Sequence, residues 1–111
     1  MPGAPELSPL EFAQRWPAYA RGADVVLLDV REDAELGLAS VSGALHIPMR
    51  EIPGRLGELA HDKPIVVMCH SGGRSSRVAD YLLANGFTAV FNLKGGIDAW
   101  STQLDSHVPR Y

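Results

Sequence analysis

The only cysteine of this chain, Cys69, stands where an activated nucleophile is expected. It follows the β-branched apolar run Ile65–Met68 and opens a loop that leads into a predicted helix. The loop is rich in glycine and hydroxyl groups and consists of His70, Ser71, Gly72, Gly73, Arg74 and Ser75. Two glycines allow a tight turn, so the unsatisfied N–H groups of the helix N-terminus point back at the sulfur. Such amides and nearby cations lower a cysteine pKa from about 8.5 to roughly 3.5–7.5, which predicts a thiolate at neutral pH.

Two arginines of this region each have a structural and a functional interpretation. Arg74 either meets an anionic substrate or pins the loop to a carboxylate, and Asp29, at a neighbouring strand end, is the expected partner. Arg77 stands three residues before Asp80, so it either forms a surface ion pair or supports the site. We expect both arginines to raise the electrostatic potential at the sulfur, with Arg74 the stronger candidate because it lies inside the loop.

The histidine and the serines of the loop have different expected roles. His70 is predicted to line the mouth of the site and not to act as a general base, because adjacent side chains in a tight loop diverge. Ser71, Ser75 and Ser76 can donate to substrate or sulfur, or cap the helix, and we expect one of them to be the cap.

Other polar residues are expected to be structural. A charged cluster after the first long strand is predicted to serve in structural pairing, and it consists of Asp29, Arg31, Glu32 and Glu35. Three further histidines show no metal-ligand spacing relative to the cysteine: His46, His61 and His107. The sequence therefore predicts no metal ion and no cofactor.

The elements that must position the loop alternate between strands and helices. A helix is predicted to start at Ser8, with Pro9 at its first position and Glu11 completing a capping box. A turn is predicted at Gly22, and Gly86 suits the left-handed position that ends a helix. Strands are predicted at 24–30, 44–48, 65–68 and 88–93, and helices at 31–38, 49–60, 75–85 and 97–103, with 49–60 short or broken.

This alternation predicts an α/β three-layer sandwich with a mainly parallel central sheet flanked by helices on both faces. Ligands of such folds bind beyond the carboxyl ends of the strands, which is where Cys69 falls. Aromatic residues at helical spacing are expected in the core together with Trp100, and they are Phe12, Trp16 and Tyr19.

Length and composition favour one domain, residues 1–111, with a core of about 7–104. The net charge of −3, from 13 acidic and 10 basic residues, argues against nucleic-acid or membrane-surface partners. One cysteine excludes an internal disulfide, and the first residues lack a targeting signal. No apolar stretch approaches the ~20 residues of a membrane span, so we expect a cytoplasmic protein.

Five short motifs, in this order and spacing, resemble the rhodanese domain. They are Leu27-Leu28-Asp29-Val30-Arg31-Glu32, Gly43-Ala44-Leu45-His46-Ile47-Pro48, Cys69-His70-Ser71-Gly72-Gly73-Arg74-Ser75, Asn85-Gly86-Phe87 and Leu93-Lys94-Gly95-Gly96-Ile97-Asp98-Ala99-Trp100. The resemblance runs from about Leu7 to the last residue. Members often have Gly-His-Ile-Pro-Gly-Ala where this chain has Ala39-Ser40-Val41-Ser42-Gly43-Ala44, so Ser40 replaces the usual histidine and affects the expected local geometry.

The resemblance implies a single-domain sulfurtransferase in which Cys69 carries a persulfide. Its thiolate would take sulfur from a small anion such as thiosulfate, or from a persulfide donor, and pass it to cyanide, a thiol or a protein acceptor. The loop from His70 to Ser75 would bind substrate, while three charged residues would support it: Asp29, Arg31 and Arg77.

Two other functions compete with this one. Cysteine-dependent phosphatases and arsenate reductases need Cys-x5-Arg, whereas Arg74 stands one position closer to Cys69 than that pattern requires. A rhodanese-like binding or regulatory module without catalysis is the other alternative, and the presence of the cysteine argues against it, because inactive members commonly lack the cysteine.

Overall fold

One sheet of parallel strands forms the centre of the molecule. The computed structural model describes residues 3–21 and 24–111, so the turn predicted at Gly22 lies outside the described residues. The strands are β1 Glu6–Leu7, β2 Val26–Asp29, β3 Leu45–His46, β4 Ile65–Met68 and β5 Val90–Leu93. They are joined in the order β1-β5-β4-β2-β3, and every neighbouring pair is parallel. The predicted parallel sheet is confirmed, and β4 is its central strand.

The helices of the described residues lie between these strands and after the last of them. They are α1 Pro9–Arg15, α2 Asp33–Leu36, α3 Gly73–Ala84 and α4 Gly96–Gln103, with 3₁₀ segments at Tyr19–Arg21, Met49–Gly54 and Leu56–Glu58. The short or broken helix predicted at 49–60 consists of the last two 3₁₀ segments. Pro53 lies inside the first of them and has no N–H to continue a helical ladder.

Alternate residues of β4 face two separate hydrophobic clusters. Val67 and Cys69 belong to the cluster that packs against α3. Val66 and Met68 belong to the cluster that packs against α1 and α4. Helices therefore cover both faces of the sheet, which confirms the predicted three-layer sandwich and places the cysteine side chain on the α3 side.

The first helix begins as its sequence predicts. The amide of Glu11 donates to the Ser8 hydroxyl at 3.1 Å, and the amide of Ser8 donates to the Glu11 carboxylate at 2.9 Å. This reciprocal capping box leaves Phe12 free to pack, and its ring lies 5.6 Å from that of Trp100. Phe12 and Trp100 are both fully buried, as expected, and anchor the cluster beneath α1 and α4.

The helix that carries the site also ends where predicted. Asn85 is its C-cap, and Gly86 has the left-handed φ of +92°. The amide of Phe87 donates back to the Leu82 carbonyl at 3.2 Å, which closes the last turn. In the described part of the chain, no helix is long and apolar enough to cross a membrane.

Candidate active site

Hydrogen-bond donors converge on the sulfur of Cys69, at the carboxyl end of the central strand. The amide of Gly72 donates to Sγ at 3.1 Å and the amide of Ser75 at 3.4 Å. The Ser75 hydroxyl oxygen lies 3.3 Å from the same sulfur. The predicted convergence of loop amides is therefore present. Gly72 makes the contact, whereas Gly73 begins α3.

Glycine, and not serine, starts the site helix. The N-cap of α3 is Gly72, which has a φ of +110° and no side-chain capping bond. The prediction that Ser71, Ser75 or Ser76 caps the helix is therefore wrong. Glycine adopts a left-handed backbone without steric strain, whereas serine at this position would be strained. Ser75 lies inside the first turn, where its hydroxyl oxygen is 3.3 Å from the sulfur.

The surroundings of the sulfur favour its ionised form. Burial opposes ionisation of the thiol, which is only 1% exposed. The Ser75 hydroxyl and the backbone amides of Ser75, Gly72 and Ser71 outweigh burial, so the pKa of Cys69 lies below its usual range. The loop thus stabilises a thiolate without a neighbouring base.

Asn92 on β5 supports the loop from the adjacent strand. Its Oδ1 accepts the Ser75 hydroxyl at 2.5 Å, while its Nδ2 donates to the Gly72 carbonyl and to the Glu6 carboxylate, both at 3.2 Å. Because Ser75 has one hydroxyl proton, it bonds either Asn92 or the thiolate. The sequence analysis missed Asn92, although a polar residue inside a buried strand was a usable signal.

Ser75→Ala is expected to make Cys69 harder to ionise. The substitution removes the hydroxyl that helps to lower the thiol pKa, while both amides remain. The pH profile of iodoacetamide alkylation should move to higher pH, with several-fold slower reaction near neutrality. The buried oxygen of Asn92 loses its donor, which should cost about 1–3 kcal/mol in unfolding free energy. An unchanged alkylation profile would show that the hydroxyl does not act on the sulfur.

Amides at the N-terminus of α4 bond the backbone carbonyls of the nucleophile and of the residue after it. The amide of Ile97 donates to the Cys69 carbonyl at 2.9 Å, and that of Asp98 donates to the His70 carbonyl at 3.1 Å. Gly96, at a φ of +60°, lets the two backbones approach closely. These bonds orient the peptide groups on which the loop begins.

Arg74 pins the loop, but to a different carboxylate from the one predicted. Its guanidinium makes a two-pronged pair with Glu35 on α2, at 2.5 and 2.8 Å. The expected partner Asp29 is occupied by Arg31, whose Nη2 lies 2.7 Å away. Arg31 is only two residues from Asp29 and is fully buried, and it donates to both oxygens of the Asp29 carboxylate.

The carboxylates of the charged cluster pair with arginines, of which only Arg31 belongs to the cluster: Asp29 pairs with Arg31, Glu32 with Arg50 and Glu35 with Arg74. The pair with Arg74 lowers the pKa of Glu35 to about 2, so this carboxylate keeps its charge in all but strongly acidic solution. Arg31 also donates to the Ala39 carbonyl at 2.9 Å, which ties down the loop where Ser40 replaces the family histidine. Ser40 itself is exposed. The backbone next to Ser40 is thus fixed by the buried guanidinium of Arg31, which bonds the carbonyl of the preceding residue.

A tyrosine that sequence analysis missed completes the surroundings of the loop. The ring of Tyr111 stacks on His70 with centroids 4.1 Å apart and an interplanar angle of 14°. Its hydroxyl donates to Glu35 Oε2 at 2.7 Å and accepts from Arg31 Nη1 at 3.0 Å. These partners lie 41 to 80 positions away in the chain, so no local pattern indicates them.

Arg77 stands apart from the charged network. Its side chain is exposed and lines an apolar pocket with five neighbours: Met49, Ile52, Pro53, Val78 and Tyr81. Asp80 accepts the amide of Ala4 at 3.0 Å, and the ion pair expected between Arg77 and Asp80 is not found among the described residues. Nor does that part of the chain gather three or more His, Cys, Asp or Glu side chains that could hold a metal ion.

Comparison with known proteins identifies the family. Residues 17–103 match the rhodanese-like domain. Over 78 residues the chain is 42% identical to a protein named "Sulfurtransferase" from Allochromatium vinosum, which covers 70% of this chain and 73% of that protein. It is 33% identical over 76 residues to "Thiosulfate sulfurtransferase GlpE" from Tolumonas auensis, with coverage of 68% and 72%.

A solved structure shows the same fold. The crystal structure of a rhodanese-like domain protein from Staphylococcus aureus aligns with a TM-score of 0.79 and 28% identity, and the alignment covers 96% of this chain and 98% of that one. The parallel sheet, the cysteine loop and these matches lead to one conclusion. The chain belongs to the rhodanese-like domain family, and its relatives include proteins named as sulfurtransferases.

Proposed function

We propose that this protein is a sulfurtransferase that moves a sulfane sulfur through a persulfide on Cys69. The observation that carries the proposal is the pair of amides, from Gly72 and Ser75, that point at a buried sulfur with a lowered pKa. A core cysteine needs no such donors, because a neutral thiol is satisfied by apolar packing. The relatives named as sulfurtransferases support the same function.

The reaction has two half-reactions. The Cys69 thiolate attacks the outer sulfur of thiosulfate, a new S–S bond forms, and the original S–S bond breaks so that sulfite leaves with its electron pair. Cyanide or an acceptor thiolate then attacks the outer sulfur of the persulfide, and the Cys69 thiolate leaves. No external oxidant or reductant is needed, because the sulfane sulfur passes unchanged from donor to acceptor.

The hydrogen-bond donors of the loop can stabilise each anion that forms on Cys69 during the reaction. The same amides that hold the thiolate would stabilise the persulfide and the departing thiolate, as donors in an oxyanion hole do for oxygen. Arg74 shapes the loop through its pair with Glu35. Arg77, which is exposed on α3, adds positive potential for an incoming anion.

The donor and acceptor are proposed by class. We propose a small sulfur-containing anion such as thiosulfate as donor, with a persulfide as the second donor type. We propose cyanide, a low-molecular-weight thiol or a protein thiol as acceptor. One relative is named for thiosulfate, which supports the choice of that donor for the first assay.

The test combines turnover with intact mass. Purified protein is incubated with thiosulfate, its mass is measured, and thiocyanate is assayed after cyanide is added. We expect a species one sulfur atom heavier that disappears as thiocyanate forms. An adduct without thiocyanate would indicate a carrier that needs a protein acceptor. Absence of both would contradict the proposal and favour a binding module.

A further inference from the structure

Tyr111 joins three parts of the site that are distant in the chain. Its ring covers His70, which directly follows the nucleophile. Its hydroxyl donates to Glu35, which holds Arg74, and accepts from the buried Arg31. Tyr111 lies beyond the residues matched to the family, 17–103.

We propose that Tyr111 is a positioning residue for sulfur transfer, which fixes both ends of the loop that presents amides to Cys69. The proposal rests on the function proposed above. His70 is the first residue of that loop and is held directly by the stacked ring. Arg74, one residue before the end of the loop, is held through the shared Glu35 carboxylate.

The junction is anchored to a buried ion pair, that of Arg31 and Asp29. Arg31 is 0% exposed, and it donates to both carboxylate oxygens of Asp29 at 2.7–3.1 Å. A hydroxyl that accepts from this guanidinium at 3.0 Å is therefore fixed relative to β2. The single proton of the Tyr111 hydroxyl is donated to Glu35, so the hydroxyl has no proton for another acceptor. Burial raises the pKa of Tyr111. Tyr111 thus remains a neutral donor at physiological pH.

The consequence for the sulfur follows from the distances. Gly72, whose amide lies 3.1 Å from Cys69 Sγ, is between the two tied residues, and Ser75, whose amide lies 3.4 Å from the sulfur, directly follows Arg74. Hydrogen bonds weaken steeply when the donor loses its alignment with the acceptor, so small loop displacements weaken the stabilisation of the thiolate. Displacement of a reacting group by about 1 Å can cost up to 10²-fold in rate. Loss of the junction should therefore weaken the hydrogen bonds to the Cys69 sulfur, although Tyr111 does not contact the sulfur itself.

The experiment compares three tyrosine variants. Tyr111→Ala removes ring and hydroxyl, Tyr111→Phe keeps the ring alone, and Tyr81→Ala is a matched control on the outer side of α3, where the ring is 38% exposed. The readouts are kcat and KM for thiocyanate formation, and the pH profile of Cys69 alkylation by iodoacetamide. Thermal unfolding of each variant establishes that it is folded.

We expect Tyr111→Ala to lower kcat about tenfold with little change in KM, and to move the alkylation profile to higher pH. Tyr111→Phe should give an intermediate effect, since the stack survives but Arg31 and Glu35 lose their shared partner. Tyr81→Ala should match the wild type in both assays.

Several outcomes would overturn the positioning role. One is a folded Tyr111→Ala variant with wild-type kcat and alkylation profile, and another is a change confined to KM. If Tyr111→Ala does not fold, the same readouts on Tyr111→Phe and His70→Ala decide, and wild-type behaviour in both would overturn the proposal. If the wild type forms no thiocyanate, sulfur transfer fails, but the alkylation profile still tests the effect of Tyr111 on the sulfur.

Discussion

Cys69→Ser is expected to abolish sulfur transfer and leave the fold intact. The serine oxygen fits the buried site and accepts the same amides of Gly72 and Ser75, so unfolding free energy should change by no more than about 1 kcal/mol. Its hydroxyl does not ionise near neutral pH and forms no persulfide. Thiocyanate formation should fall to the uncatalysed rate, and intact mass should show no added sulfur.

Cys69→Ala provides the matched control for this variant. Alanine also removes the nucleophile, but it leaves the two amides without an acceptor in a buried place, so it should be less stable than Cys69→Ser by about 1–3 kcal/mol. Thermal unfolding and denaturant titration measure the difference. Thiocyanate turnover retained by Cys69→Ser would remove the cysteine from the mechanism.

Gly96→Ala is expected to damage both stability and activity. A Cβ at this position would overlap the Cys69 carbonyl oxygen and lie 2.5 Å from the His70 carbonyl oxygen, both of which are backbone atoms. The φ of +60° adds strain for any residue with a side chain. We expect a loss of about 2–5 kcal/mol in unfolding free energy, because overpacking and the left-handed backbone act together.

The activity of Gly96→Ala should fall further than its stability alone explains. Relief of the overlap must move either α4 or the backbone of the nucleophile, and the amides of Ile97 and Asp98 hold that backbone. Gly57→Ala is the matched control, since nothing lies within 4 Å of a Cβ there. Wild-type thiocyanate turnover by a folded Gly96→Ala protein would show that this close approach does not position the sulfur.

Local features of the fold were predictable from the sequence. The capping box of Ser8 and Glu11 involves residues three apart, and the helix end at Gly86 needs only the left-handed φ of one glycine. The cysteine loop was predictable for the same reason, since its glycines, its apolar strand and the next helix are contiguous. In each case a short stretch of chain determines its own geometry.

Pairings between distant residues were not predictable in this way. Arg74 meets Glu35 across 39 positions, and Tyr111 meets His70 across 41. The sequence shows that carboxylates and arginines are present, but which of them pair depends on which side chains the tertiary fold brings within hydrogen-bond distance. Asp29 was assigned to Arg74, whereas Arg31, two residues away, occupies it in the structure. The two-residue strand β1 was likewise missed, because so short an edge strand has no periodicity to detect.

The position of β4 in the sheet links the chemistry of the sulfur to protein folding. Val66 pairs with Leu27 from the first half of the chain and with Phe91 from the second, so the central strand is complete only after both have docked. Such long-range parallel pairings are intrinsically slow to form, because the entropy of loop closure opposes them. Until then the amides of Gly72 and Ser75 have no fixed direction, and Cys69 has the acidity of an ordinary thiol. The lowered pKa of Cys69 is therefore a property of the completed tertiary fold and not of the loop sequence alone.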